Sequence, residues 1–550
     1  MNKMNIEINI PDDTKSISPF RRLGGFYLLE VASLLLFLLL FTSCGDFLDT
    51  LPDNRTQLNN EKKITQLLIS AYPGANYSVL AELSSDNFVD NNSILPVNLS
   101  SFERMHEEIF AWEAVTSSTQ EDSPSYVWER CYAAIAAANH ALQAIDELNA
   151  TDPTLDLSAQ KGEALLCRAY GHFILVNIFS QAYKDESTSA LDMGVPYVTE
   201  PETVVQSKST RETVASVYAN IQKDIEAGIP FISDQNYGVP TYHFNKKAAS
   251  AFAARFFLYK RDYQKVLTYA NDVLTSNPTS LMRDWSKNYD NITAISFDYI
   301  NTELACNFLI LPTSSVFNRI FGTRYGHNGV AMAGSTYGSG PTWTDILPCF
   351  NGKLYIRGQQ DYGVFFPKCG EIFEYTDKVA GIGFAHVVRV EFTAEETLLC
   401  RAEALIYLNR IPEAVNDLQV WNNSHLAPNP LTENRIRSFY VTNNTLFVKP
   451  LNSEKMSSGF IVSATQKPFI NCVLHFRRIE TMFDGYRWFD IKRYGIEIEH
   501  TIGRTSVEKL VYNDARRAIQ LPQEVISAGV DPNPGFKTPV PASNFQLFQK

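Results

Sequence analysis

Apolar side chains recur at three- and four-residue spacings in separate blocks, which is the pattern of helices that bury one face. The block 126–148 carries Trp128, Cys131, Tyr132, Ile135, Leu142 and Ile145, with small residues from Ala133 to Ala138 that let a neighbouring helix approach closely. The block 158–183 repeats the pattern through Leu165, Ala169, His172, Val176 and Phe179. A third helix is predicted over 210–229, with Thr210 as its cap and Thr213 where a capping box wants Glu or Gln. Two helix pairs follow, over 246–259 with 263–274 and over 393–408 with 412–421, the latter with Pro412 in a first turn. The two pairs align: Ala254 to Tyr259 with Ala402 to Tyr407, then Val266-Leu267 with Ala414-Val415. Such units resemble tetratricopeptide hairpins, each needing a neighbour to cover its apolar face.

Between 278 and 390 the helical period disappears and Gly, Ser, Tyr, Trp and Phe dominate, as in Phe321 to His327 and Gly334 to Trp343. The stretch 86–125 is similarly irregular, with Phe102, Phe110 and Trp112. Long aperiodic segments in a compact domain carry function or disorder, and this aromatic content argues against disorder. The expected architecture is therefore mainly α, a helical repeat scaffold with elaborate loops over it.

Composition sharpens this. The chain has 550 residues, 45% hydrophobic and 12% aromatic, enough to bury a large core. Its net charge of -12 argues against a duplex nucleic acid as partner, because phosphate contacts need clustered Lys and Arg. Most of the 35 Phe, 26 Tyr and 6 Trp must be core, but the Tyr excess suits surfaces that bind sugars or peptides, where an apolar face and a hydroxyl are both useful.

The N-terminus reads as an address. Lys15, Arg21 and Arg22 precede an apolar run over 31–41 that ends at Thr42-Ser43-Cys44. That run is far shorter than the ~20 residues of a spanning helix and reads as a secretory signal. Phe41-Thr42-Ser43-Cys44 resembles a bacterial lipobox, so residues 1–43 are expected to be a signal peptide, Cys44 to be acylated, and 44–60 to be a tether. Several acyl chains would give stable anchoring where one is marginal. Seven further cysteines would meet an oxidising compartment; the odd number leaves at least one free or paired between chains, and Cys349 with Cys369 is a pairing that spacing leaves open.

No enzyme motif stands up. His106-Glu107-Glu108 begins like a zinc-protease helix but lacks the second His, and Gly381-Ile382-Gly383 lacks the third Gly of a dinucleotide fingerprint. No metal or cofactor is expected. The densest pattern is 477–493, where Arg478, Glu480, Arg487 and Asp490 are expected to pair around a turn at Asp484-Gly485, over Phe483, Trp488 and Phe489.

Four stretches, in order, resemble the SusD/RagB family of outer-membrane nutrient-binding lipoproteins of Bacteroidota. They are Cys44-Gly45-Asp46-Phe47-Leu48-Asp49; Trp128 to Tyr132 with Ile135, Ala138 and Asn139; Arg168-Ala169-Tyr170 with Phe173 and Leu175, leading to Gly194-Val195-Pro196; and Arg477 to Arg493. Phe476 and Tyr486 depart from the family's usual Glu and His. The resemblance implies about four tetratricopeptide-like helix pairs carrying a loop-rich variable half. Over 61–550, it puts repeats mainly at 126–277 and 393–423, the variable loops at 278–390 and the signature at 472–536. It implies no enzyme but a lipid-anchored protein of the outer membrane, facing outward, that captures glycans or peptides and passes them to a SusC-like TonB-dependent β-barrel transporter. The alternatives are a surface glycoside hydrolase and a tetratricopeptide-like scaffold that binds proteins. No ligand residue carries over by motif. On chemistry, Trp112, Tyr325 and Trp343 are expected to stack on ligand, with Asp86, Asn87 and Arg324 as polar partners.

Overall fold

The computed structural model describes residues 58–96, 98–201, 210–333, 335, 338–357, 363–442 and 448–536. The expected leader, Cys44 and most of the tether lie outside them. The fold is mainly α and built of packed helix pairs, as the periodicity predicts. Helices used below are α1 Glu61–Leu68, α2 Ser78–Ser84, α3 Arg104–Phe110, α4 Pro124–Thr151, α5 Ser158–Phe179, α6 Val214–Gly228, α7 Lys246–Lys260, α8 Tyr263–Leu274, α9 Ala394–Tyr407, α10 Ile411–Ser424, α11 Lys467–Glu480 and α12 Tyr486–Tyr494. Helix α4 packs on α5, α5 on α6, α7 on α8, and α9 on α10.

Helix α5 is the centre of the scaffold, buried without interruption from Gly162 to Phe179. Two glycines permit this. A Cβ at Gly171 would stand 2.8 Å from the Ile135 side chain on α4, and one at Gly162 would stand 2.8 Å from the Gly228 carbonyl oxygen on α6. Helix α6 starts later than expected, because the cap is Thr213, whose hydroxyl accepts from Ser216 N–H at 3.2 Å, and not Thr210. The two similar hairpins turn through matching left-handed residues, Arg261 (φ 67°) after α7 and Asn409 (φ 58°) after α9. They also touch: the rings of Tyr263 and Tyr407 stack with centroids 4.3 Å apart.

The region without helical period contains a sheet. Strands β2 Asn307–Thr313, β4 Glu371–Asp377 and β5 Ile382–Thr393 form an antiparallel sheet in the order β2-β5-β4, with Ile310 opposite Val390 and Phe373 opposite Ala385. Strand β5 runs directly into α9, whose cap is Thr393. Three small antiparallel pairs accompany it among the described residues: β1 Val89–Asp90 with β3 Tyr325–Gly326, β6 Ile498–Ile502 with β7 Ser506–Leu510, and the short segments Tyr355–Arg357 and Gly363–Phe365 with each other. All seven described cysteines are buried free thiols, Cys349 and Cys369 included. Burial pushes the Cys306 and Cys369 thiols up to about 12, so they behave as small apolar groups.

Candidate functional site

The signature segment forms a buried ionic network that differs from the expected one. Arg477 donates to Asp490 at 3.2 Å and to Glu396 at 3.3 Å, while Arg493 reaches Glu403 at 2.8 Å and Asp490 at 2.6 Å. Arg478, Glu480 and Arg487 do not pair with one another. Arg487 forks onto Asp86 at 2.7 and 2.9 Å; Arg478 donates to Asn87 Oδ1 at 2.7 Å and the Asp86 carbonyl at 2.8 Å. Glu480 instead accepts from Trp421 Nε1 at 2.8 Å and meets His425 at 3.1 Å. The reason is geometric. Gly485 (φ 85°) turns α11 into α12, and these side chains point outward into the layers the two helices pack against. The two departures from the family pattern are absorbed there: Phe476 stacks on Trp421 at 4.2 Å, and Tyr486 donates to Glu391 at 2.7 Å.

The network binds the molecule together; the open chemistry lies beside it. A cleft of about 790 Å³ is lined by Arg104, Glu107 and Glu108 of α3, Trp112 and Glu113 after it, Arg324 and Tyr325 at β3, Ser506 and Glu508 of β7, and Arg516 and Phe536. Three separated parts of the chain thus meet. Their junction is Asp90: its carboxylate accepts from Arg324 at 2.8 Å and from the Gly503 N–H at 2.7 Å, which ties β3 and the β6–β7 turn to β1. Arg324 also reaches Glu107 at 3.4 Å, and hydrogen bonding to Asp90, helped by neighbouring charges, raises its guanidinium above the ordinary value. Arg516 is held by Asp514 at 2.9 Å and Glu508 at 3.3 Å.

The floor of the cleft is a column of rings. Tyr325 packs on Phe110 with centroids 4.6 Å apart, Phe110 stacks on His500 at 4.1 Å, and His500 stacks on Trp112 at 4.1 Å. Guanidinium groups stand at both ends, Arg324 5.0 Å from the Tyr325 ring centre and Arg516 5.9 Å from that of Trp112. Trp112 has φ 51°, a left-handed conformation that costs a non-glycine residue ~1–2 kcal/mol. It is held by its N–H on Ile109 O at 3.0 Å and its indole Nε1 on Ser84 O at 2.9 Å. Strain stored this way marks positions that the surroundings over-determine.

Of the six residues singled out for a ligand, Trp112, Tyr325 and Arg324 come together here. Both aromatic residues line the cleft, but their rings are almost wholly covered by neighbours, so the expected stacking face is taken up by the ring column. Trp343 lies elsewhere, donating to Gly338 O at 2.9 Å and packing on His475 and Phe476. Asn87 is buried and Asp86 half-buried, both outside the lining. Burial works to raise Asp86, but Arg478, Arg487 and Lys449 outweigh it and hold the carboxyl well below its usual range. His500, Arg516 and Glu508 were not legible as site residues, since only tertiary contact with segments some 390 positions away gives them this role. Among the described residues no cluster of His, Cys, Asp or Glu is arranged to hold a metal, and no helix is long and apolar enough to cross a membrane.

Comparison with known proteins decides the family. Residues 46–258 match a SusD-like model described as starch-binding associating with outer membrane, and residues 358–525 match the SusD family model. The chain belongs to the SusD/RagB family. SusD-like protein P2 of Formosa agariphila is 23% identical over 446 residues, covering 75% of this chain and 80% of that protein. SusD-like protein P38 of the same organism is 22% identical, covering 69% and 74%. Among solved structures, a SusD superfamily protein from Bacteroides thetaiotaomicron shares the fold with a TM-score of 0.58 at 18% identity, over 86% of this chain and 100% of that one. A protein titled as a putative sugar binding protein from Bacteroides vulgatus also gives 0.58 at 18% identity, over 88% and 100%.

Proposed function

We propose that this chain is a lipid-anchored protein of the outer membrane, facing outward, that captures glycans in the Trp112–Tyr325–Arg324 cleft and hands them to a SusC-like TonB-dependent β-barrel transporter. It acts by binding and carries out no chemistry on its ligand. The signal peptide ends at residue 43 and Cys44 carries the lipid. The observation that carries the reading is the cleft itself. Its carboxylates Glu107, Glu108 and Glu113 accept from hydroxyls, and its guanidinium groups Arg104 and Arg516 donate to ring and hydroxyl oxygens. Peptides offer the same groups along a backbone and are the other ligand class for this cleft.

Purification of the tagged protein from detergent-solubilised outer membranes, with mass identification of its companions, tests the delivery step. A stoichiometric β-barrel receptor is the expected companion; recovery in the membrane without one would sink that step. Arg104→Ala and Glu113→Gln test the cleft, because both residues line it and both are exposed. Each is expected to weaken capture on a glycan array about tenfold, the effect of ~1.4 kcal/mol. Unchanged capture in both would move the site elsewhere. Cys44→Ala is expected to give a soluble protein lacking the acyl mass.

A further inference from the structure

His500 sits in the middle of the ring column, and both of its ring nitrogens face backbone carbonyls. Nδ1 lies 2.7 Å from Phe110 O and Nε2 lies 2.9 Å from Ser85 O. A carbonyl oxygen only accepts, so both nitrogens must donate, and only a doubly protonated ring can do that. The neutral ring would point a lone pair at one of the two oxygens. The rings on either side, Phe110 and Trp112, are both stacked on it at 4.1 Å, which favours a cation. The other buried histidine with both nitrogens engaged by backbone is built differently. His172 has Nδ1 on Arg168 O at 2.9 Å but takes the Val198 N–H on Nε2 at 3.0 Å, which suits the neutral ring.

We propose that His500 works as an imidazolium, and that its second proton locks the floor of the cleft. The two carbonyls belong to the end of α3 and to the turn after α2, while His500 is on β6. The charged ring therefore clamps the C-terminal hairpin onto the segment that carries Trp112. His500 is a positioning residue: it fixes the Trp112 ring, whose indole is already tied to Ser84. The proposal extends the reading of this cleft as the capture site, but the charge on His500 stands or falls without any ligand.

The charged neighbours come from every side. Asp86 favours the cation and Lys449 opposes it. Glu508 stands opposite His500 on β7 and is engaged by Arg516. Asp90 is taken by Arg324, and on α3 Glu107 and Glu108 are bonded by Ser101 and Ser117. Burial resists the charge and pulls the ring down from its ordinary value, while the hydrogen bonds to Phe110 O and Ser85 O pull it up; the ring faces add attraction to the cation alone.

Selective ¹⁵N-histidine labelling of the full chain counts the protons on each ring. At pH 6 both His500 nitrogens are expected to carry one. His500→Gln assigns the signals by their loss; if that variant does not fold, ring-current shifts and contacts to Phe110 and Trp112 protons assign them in the native protein. A single proton on His500 at pH 6, or unfolding before the second appears, overturns the proposal. A doubly protonated His500 with capture unchanged in Arg104→Ala keeps this proposal and sinks the cleft reading; a singly protonated His500 with capture weakened in that variant does the opposite.

Discussion

Asp122 shows how much one side chain can depend on pH. It is buried with φ 65°, and its carboxylate accepts the Val316 N–H at 2.8 Å through one oxygen while the other has no partner. Burial pushes its carboxyl up from 3.8 to about 7. The folded protein thus binds a proton here that the unfolded chain has released, so this site's stability is full below pH ~4 and is lost as pH rises through 7. Asp122→Asn keeps the acceptor, tolerates the left-handed backbone and never ionises. Chemical unfolding across pH 4 to 8 is expected to show the variant gaining on the parent as pH rises, by at most ~4 kcal/mol. A gap that does not change with pH would mean the carboxyl ionises normally. Nothing in the local sequence announces this residue, because its environment is made by Val316, nearly two hundred positions away.

Helices are where the sequence was most readable, since their period is written in consecutive residues. The turns Arg261 and Asn409 fall at equivalent places in the two similar hairpins, and the expected bounds of α8 coincide with the observed ones. The sheet was not readable, because strand β5 becomes a strand only through pairing with β2 and β4. Between helices, the decisive contact is ionic. Arg168 on α5 forks onto Asp224 of α6 at 2.7 Å through both nitrogens, and its remaining donor serves Asn139 of α4 at 3.1 Å and Thr199 O. Three helices of the repeat are thus pinned by one guanidinium. Asp224→Ala leaves that cation buried without its partner and is expected to cost ~3–5 kcal/mol, seen as a lower midpoint in denaturant. Arg168→Met with Asp224→Leu removes both charges and is expected to recover much of the loss; equal losses in the single and double variants would show that packing, not charge, is what matters there.

At the scale of the whole molecule, the first and last parts of the folded chain close on each other. Gly485 N–H donates to Glu82 at 3.0 Å, Arg389 donates to Asn76 at 2.6 Å, and Asp86 gathers Arg478, Arg487 and Lys449. This closure explains why the signature segment was legible as a cluster of charge and aromatics while its partners were not. Arg478 and Arg487 meet on Asp86 some 390 to 400 positions away, whereas sequence proximity points only to Glu480 and Asp490 as their partners. The same closure positions the cleft, whose walls come from both parts. Asp86 should therefore behave as a keystone. Asp86→Asn preserves shape but leaves two guanidinium groups and an ammonium facing one another, and is expected to lower stability by ~3–5 kcal/mol at neutral pH. The pH dependence carries the sign. The carboxyl is held well below 3.8, so its contribution is present above pH ~4 and is lost as pH falls through the folded value. Unfolding free energies of parent and variant should run parallel from pH 8 to 5 and converge only in stronger acid. Convergence already near pH 6 would mean that a histidine, and not Asp86, controls the closure.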